Sequence, residues 1–546
     1  MVFLVLSPFF VLIAIAAQGS GDLWPHLIAY VLPTALWQTL VLLVGVGMGT
    51  TLIAVPCAWL VTTCAFPGRR WVDVALLLPL ALPGYIVAYS YLDVLHPLGP
   101  IQGALRWVLG IARPRDFQLP DIRSAWGCIF VLSSVLYPYV YLSARASFLV
   151  QSASALDAAR ALGAGRWRTV WQVALPMARP AVVAGLTLAL LEVLGDIGAS
   201  EFLGMRTLTV SVYTTWVNRS NLPGAAQIAL VMMLFVLLLV AAERLARSRA
   251  RYVGGGSARP PALISLSGPH GVLALLFCLI PVALGFGVPF LHLLSASLAR
   301  IGFSGVSPAL LIEARNSALL AAAGTALALV LGLLVALAQR LAPSRLTSGL
   351  TRLSTLGYAV PGTVLAIGLL TPLAGFDNAL DQVMRQTFGV STGLLVSGSG
   401  AALVIAFAIR FLAISVGALE AGYGKISPNL DMAARSLGAS KRIAVRQVHL
   451  PLMRTALATA ALMVFVDGMK ELPATLLLRP LGVETLATHV YGEAARGTYE
   501  DGALAALLIV LVGLVPVLLL ARLSRFALPG TVSGTRSGRE GPDVQP

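Results

Sequence analysis

The sequence predicts an all-α, polytopic membrane protein of about 12 transmembrane helices in two tandem six-helix halves. Three observations carry that expectation: scarce charge, apolar runs of spanning length, and an internal repeat. Of 546 residues, 11% are charged and 58% hydrophobic, with a mean hydropathy of +0.87. A soluble protein carries about 25% charged residues. So little charge cannot keep a chain of this size in water. That excludes a soluble enzyme, a disordered chain and a secreted disulfide scaffold.

A helix needs about 20 mostly apolar residues to cross the hydrocarbon. Such runs lie near 2–17, 34–65, 72–92, 126–147, 181–203 and 224–243, and again near 271–294, 315–339, 353–374, 398–419, 455–476 and 503–522. The run 34–65 exceeds one span, so it tilts, extends past the membrane or kinks at Pro56. The first run has the length of a signal-peptide core ending at Ala14-Ile15-Ala16. No Lys or Arg precedes Arg69, however, so the basic leader segment is missing and the run counts as a span.

Charge sets the orientation. The chain has 38 Lys and Arg against 23 Asp and Glu, a net charge of +15. With the N-terminus in the cytoplasm, most of the basic residues fall on cytoplasmic loops, as the positive-inside rule requires. None forms a dense basic cluster with interleaved aromatics, so the partner is the lipid bilayer and no nucleic acid. Cys57, Cys64, Cys128 and Cys278 all sit in apolar runs without metal-ligand spacing, and read as small buried hydrophobes.

The two halves repeat. Asp157-Ala-Ala-Arg-Ala-Leu-Gly163 answers Met432-Ala-Ala-Arg-Ser-Leu-Gly438 at an offset of 275. Pro83-Gly84 answers Pro361-Gly362, and Thr207-Leu208 answers Thr485-Leu486, both at 278. This divides the chain into a first half (1–250), a linker (251–270), a second half (271–524) and a cytoplasmic tail (525–546). Six spans per half is an even number, so the two copies share one orientation and the repeat is parallel. The glycines, serine and prolines of Tyr252–Pro261 suit a flexible tether.

Each half has one long cytoplasmic loop, 155–176 and 430–451. In each, small residues precede a glycine, a basic-apolar stretch follows, and Leu-Pro ends the loop 13 residues later, at Leu175-Pro176 and Leu450-Pro451. The pattern predicts a short helix, a glycine break, a second amphipathic helix and a proline at the entry to the next span. Small side chains let such a helix seat closely in a partner's groove. Two copies on one face predict a docking element.

These loops resemble the EAA motif (Glu-Ala-Ala, three residues, Gly, nine residues, Ile-x-Leu-Pro) of inner-membrane permeases in binding-protein-dependent ABC importers. In the first copy Asp157 stands at the Glu position, Ala158, Ala159, Gly163, Leu175 and Pro176 match, and Val173 replaces Ile. In the second, Met432 takes the Glu position with Asp431 one residue early. There Ala433, Ala434, Gly438, Leu450 and Pro451 match, and Val448 replaces Ile. The resemblance implies an ABC-importer permease in a bacterial inner membrane whose loops couple to two copies of a cytoplasmic ABC ATPase. It also implies a periplasmic solute-binding protein, no cofactor bound by this chain, and ATP used by the partner. A fused double permease of this length is similar to the ferric-iron importer group, with thiamine permeases sharing the layout. Lys470–Pro480, Glu484–Thr488 and Tyr491 resemble the ferric-type members most closely.

Ionisable groups inside spans are costly and mark sites. Glu192 and Asp196 are four apart on the fifth span, and Asp467 and Glu471 repeat them on the eleventh at the 275 offset. The spacing predicts one helical face for each pair. Both pairs meet near the pseudo-two-fold axis if these spans line the translocation pathway. Asp196 then lies roughly 24 Å beyond the loop, and oxygen ligands suit a hard cation such as ferric iron. Arg410 and Lys470 are expected as structural counter-charges, and His449 as a surface or interface residue.

The sequence has no G-x-x-x-x-G-K-[S/T] phosphate loop. Gly424-Lys425 comes nearest, but Leu419 and Ile426 break the pattern. No catalytic or metal-ligating grouping stands out, so the chain is expected to be a transport subunit and not an enzyme. A permease for thiamine or another small solute is the alternative. Less favoured are a proton-coupled secondary transporter, whose charged signature is missing from the short loop Phe66–Trp71, and a channel or scaffold, in which twin docking loops have no purpose.

Overall fold

The computed structural model describes residues 2–111, 113–150, 162–163, 165–248, 263–424, 426–438 and 440–525. In the first half, α1 (Val2–Ala17) leads into α2 (Leu23–Thr63), then α3 (Arg69–Ala81), α4 (Gly84–Val94), α5 (Pro100–Leu109) and α6 (Ala125–Val150). It continues with α7 (Val170–Gly195), a five-residue α8 (Gly198–Phe202), α9 (Leu208–Val217) and α10 (Leu222–Ser248). The second half opens with α11 (Pro269–Ser304), α12 (Pro308–Leu341), α13 (Arg345–Ser354), α14 (Gly362–Phe388) and α15 (Ala401–Tyr423). It ends with α16 (Pro428–Ser436), α17 (Arg442–Leu452), α18 (Arg454–Met469), α19 (Pro473–Leu478), α20 (Leu486–Arg496) and α21 (Tyr499–Arg525).

Among the described residues, nine helices are long and apolar enough to cross a membrane. Two bent pairs, α3–α4 at 91° and α17–α18 at 69°, raise the number to eleven if each is one broken span. That is close to the expected twelve and short of it. The run 72–92 is not one helix, and α1 has only 16 residues. The long second run proves to be the 41-residue α2, which passes through Pro56 as continuous helix. An all-α membrane bundle is what forms. Among the described residues the one strand pairing is a two-residue parallel match of Cys64–Ala65 with Ile264–Ser265, which ties the start of the second half to the end of α2.

Proline leaves a consistent mark on these helices. Among the described residues four π-helical turns occur, at Leu27–Val31, Val170–Ala174, Ala283–Gly287 and Val445–His449. Each runs directly into an X-Pro pair: Leu32-Pro33, Leu175-Pro176, Val288-Pro289 and Leu450-Pro451. A proline lacks the N–H that the carbonyl four residues back would accept, and its ring crowds that carbonyl. Widening the preceding turn relieves the clash while keeping the helix intact. The Leu-Pro that ends each cytoplasmic loop is thus a local helix-shaping device as well as a motif.

The duplication is visible in contacts. Pro83 and Pro361 are both extended and open α4 and α14 at their following glycines. Thr207 and Thr485 both cap the next helix, α9 and α20, through their hydroxyls. The Leu208 N–H donates to Thr39 Oγ1 at 3.0 Å, and the Leu486 N–H donates to Ser317 Oγ at 2.8 Å. Close helix approach is bought by small residues: a Cβ on Gly332 of α12 would lie 2.7 Å from Ser415 Cβ of α15. The halves also exchange their first helices. α1 packs on α14 as well as on α10, and α11 packs on α4 as well as on α21. One continuous apolar core, with Cys57, Cys64, Cys128 and Cys278 as buried free thiols, therefore spans both halves.

One buried polar cluster pins α3 to α6. Arg145 donates from Nε to Asp73 Oδ1 at 2.6 Å and from Nη2 to Oδ2 at 2.8 Å, and Tyr141 Oη donates to Oδ1 at 2.6 Å. The Asp73 carboxylate thus holds three short, charge-assisted bonds in the core, and its neutralisation weakens all three. Asp73→Asn should therefore lower the melting temperature of the purified protein. Adding Arg145→Met should recover part of the loss, read by thermal unfolding in detergent.

Candidate translocation site and its loops

The four in-span carboxylates come together. Glu192, Asp196, Asp467 and Glu471 all line one cavity of about 120 Å³ between the halves, together with Arg410, Lys470, Tyr85, Tyr139 and Tyr358. The helical-face expectation for each pair is corrected, because both spans break at the site. α7 ends at Gly195, leaving Asp196 extended, and α18 ends at Met469, two residues before Glu471. Asp196 and Glu471 consequently serve as caps for the short helices that follow.

The capping is matched in the two halves. Asp196 Oδ2 accepts the Ser200 N–H at 2.8 Å and the Ser200 hydroxyl at 3.1 Å, while Oδ1 accepts the Ala199 N–H at 3.4 Å. Glu471 accepts the Ala474 N–H at 2.9 Å, the Thr475 N–H at 3.0 Å and the Thr475 hydroxyl at 2.9 Å. These bonds satisfy backbone donors that a helix start would otherwise leave bare.

The counter-charges are not matched. Arg410 Nη1 lies 3.3 Å from Glu471 Oε1, and Lys470 Nζ lies 2.8 Å from Asp467 Oδ1. Both cations belong to the second half, and each pairs with an acid of that half, as expected of structural counter-charges. Glu192 instead accepts a hydrogen bond from Tyr358 Oη at 3.1 Å, and among the described residues Asp196 has only its capping donors. The lining therefore holds four carboxylates against two cations.

Sequence reasoning found the charged members and missed the tyrosines and glycines. Tyr85 and Tyr358 flank the repeated Pro-Gly pairs, which were legible as repeat markers and not as a wall of the site. A Cβ on Gly198 would collide with Tyr85 Cβ, so the glycine is what lets α8 close on α4. Beyond the cavity, Tyr491 Oη donates to Glu201 Oε2 at 2.6 Å, joining α20 to α8 across the halves.

The loops differ in how far they can be described. Asp157, Ala158 and Ala159 lie outside the described residues. Gly163 and Gly438 both adopt left-handed backbone, with φ of 81° and 77°, a region where glycine is favoured. The leucine before each, Leu162 and Leu437, is 88% exposed. In the second copy α16 carries Asp431, Ala433 and Ala434, and α17 follows the glycine, as expected. His449 is corrected: it is buried, edge-on to Tyr423 at 5.5 Å, because the π-helical turn rotates it inward. Leu450-Pro451 then leads into the 69° bend, whereas Leu175-Pro176 lies within α7, which runs on to Gly195 as one span. Among the described residues, no group of three or more His, Cys, Asp or Glu is arranged to hold a metal ion.

Known proteins are similar to this chain in sequence. The family described as binding-protein-dependent transport system inner membrane component matches residues 48–252 and 328–528. The chain is 26% identical over 489 residues, 89% of each chain, to the Fe(3+)-transport system permease protein FbpB 2 of Haemophilus influenzae. It is 26% identical over 515 residues to the probable ABC transporter permease protein y4fN of Sinorhizobium fredii, covering 90% of this chain and 87% of that one. The molybdenum transport system permease protein ModB of Escherichia coli is 30% identical over 227 residues, 39% of this chain and 96% of its own. With both halves matched, the chain belongs to the family of inner-membrane permease components of binding-protein-dependent ABC importers, a non-catalytic, multi-pass transport subunit.

Proposed function

We propose that this permease imports ferric iron, released to it by a periplasmic binding protein, through the cavity between its halves. The observation that carries the reading is the cavity's charge: four carboxylates face two cations. An anionic cargo would meet an excess of like charge there, whereas a hard cation finds oxygen ligands. Similarity over nearly the full length to a permease named for Fe(3+) supports the same cargo. Relatives named for molybdenum and 2-aminoethylphosphonate transport share the family but align over less than half of this chain.

Energy would come from two ATPase subunits seated on the cytoplasmic loops, since the chain has no phosphate-binding loop of its own. The exposed Leu162 and Leu437, each before a left-handed glycine, offer matched apolar knobs to such a pair of partners. Asp157, Ala158, Ala159, Leu175 and Pro176 would form one seat. Asp431, Ala433, Ala434, Leu450 and Pro451 would form the other. Twelve spans, with α1 as the twelfth, complete this reading.

Three measurements test it. Cells lacking the chain should lose uptake of radiolabelled ferric iron and keep uptake of thiamine and molybdate. Loss of thiamine or molybdate uptake instead would assign a different cargo. Asp196→Asn retains a capping oxygen and removes the charge, so with Glu192→Gln it should cut iron uptake while membrane insertion stays intact. Unchanged uptake would remove these carboxylates from the pathway. Placing a β-branched residue in left-handed backbone costs about 1–3 kcal/mol. Gly163→Val with Gly438→Val should accordingly abolish ATPase co-purification and uptake together, leaving the level of inserted permease unchanged.

A further inference from the structure

The duplication has left the cavity wall unequal beside the two repeated Pro-Gly pairs. In the first half, Gly84 opens α4 against Asp196 and Leu132: a Cβ on Gly84 would lie 3.0 Å from Leu132 Cδ2 and 3.6 Å from Asp196 Oδ1. In the second, Gly362 opens α14 against Glu471 and Arg410. A Cβ there would collide with Arg410 Nη1 and lie 2.7 Å from Glu471 Oε1. Gly84 and Gly362 are 278 residues apart, and so are Leu132 and Arg410. Arg410 therefore stands where the first half has a leucine.

We propose that Arg410 is a positioning residue that latches the short second-half helix α19, so that the cavity opens on the first-half side, at α8. Glu471 caps α19 with its carboxylate and is held at the same time by Arg410 from α15, in a contact whose side chains are 14% and 2% exposed. A charge-assisted contact away from water is stronger than a neutral one. To swing α19, the chain must break that contact or carry α15 with it. Asp196 caps α8 with no cation attached, and its neighbour at the equivalent place, Leu132, offers packing alone. Gly362 leaves the space that the guanidinium fills, so the latch is built from three elements: α14, α15 and α19.

The inference rests on the cavity being the pathway, and it does not depend on which solute passes. Ile197 and Leu472 occupy equivalent places at the starts of the two short helices, line the cavity and are each 1% exposed. Ile197→Cys and Leu472→Cys can be compared in the full permease with its ATPases in membrane vesicles. Attack by a membrane-impermeant maleimide from the binding-protein side is measured during ATP turnover, with the unsubstituted chain as blank for its four buried thiols. The cysteine at 197 should react about tenfold faster than that at 472, since local opening sets the rate. Arg410→Leu should bring the rate at 472 up to that at 197, Arg410→Lys should preserve the difference, and Leu132→Arg with Arg410→Leu should reverse it. Equal rates in the native background, or a ratio that Arg410→Leu leaves unmoved, would overturn the latch. Should Arg410→Leu fail to accumulate, the native ratio and its preservation in Arg410→Lys still decide. No reaction at either position during turnover would overturn the pathway reading and the latch with it.

Discussion

A helix that breaks inside a bilayer must find partners for the backbone groups it exposes, and this molecule meets that demand with carboxylates. No water is at hand in the hydrocarbon, and each bare donor costs several kcal/mol. Asp196 and Glu471 answer it at the breaks after α7 and α18, each accepting two backbone N–H groups and a hydroxyl. The rest of the centre follows from those two breaks. Because the spans stop, the short helices α8 and α19 can turn across the bundle. Because they turn, Tyr85, Ile197 and Leu472 meet around one cavity. Charge is therefore present at the centre first as a structural necessity, and a cation pathway can be built from it at little further cost.

Much of this was legible in the sequence, and the reasons differ residue by residue. Charge is so rare in the spans that Glu192, Asp196, Asp467, Glu471, Lys470 and Arg410 stand out on composition alone, and all six line the cavity. The repeat offsets located Pro83-Gly84 and Thr207-Leu208, which the structure resolves as a helix opening and a helix cap. Hydropathy could not see the breaks. Asp196 and Glu471 sit four residues after another acid, so helical spacing predicted a shared face, whereas the chain leaves the helix one and two residues earlier. Tyrosines inside apolar runs carry no such signal, so Tyr139 and Tyr358 emerged only once the halves were in contact. His449 misled for the opposite reason. It reads as polar beside a loop motif, yet the proline-induced π-helical turn directs it inward.

The duplication copied the architecture more faithfully than the electrostatics. Both halves keep the Pro-Gly opening, the threonine cap, the break and its carboxylate. Only the second half has Arg410 and Lys470, where the first has Leu132 and Gly195. Two identical halves built on the first would have given the cavity four carboxylates and no counter-charge, an arrangement that like-charge repulsion in low dielectric disfavours. Two cations on one side give two of the four carboxylates an ion-pair partner and leave the other two without one. Fusing the halves into one chain is what permits this, since a homodimer cannot place a charge on one side only.

The same one-sidedness recurs at the cytoplasmic loops. In the second half Leu450-Pro451 is followed by a 69° bend into α18, while in the first Leu175-Pro176 lies within α7, which runs on to Gly195 as one span. A continuous helix transmits a push on the loop directly to its far end, over a length of about 1.5 Å per residue. A bent one can absorb part of it at the hinge. In the proposed cycle the stiff connection ends at Gly195 and the unlatched α8, and the hinged connection ends at α19, which Arg410 holds. Stiff coupling is thus joined to the element with fewer restraints, and compliant coupling to the element with more. A symmetric stroke by two ATPases would then be converted into an opening that begins on one side of the cavity.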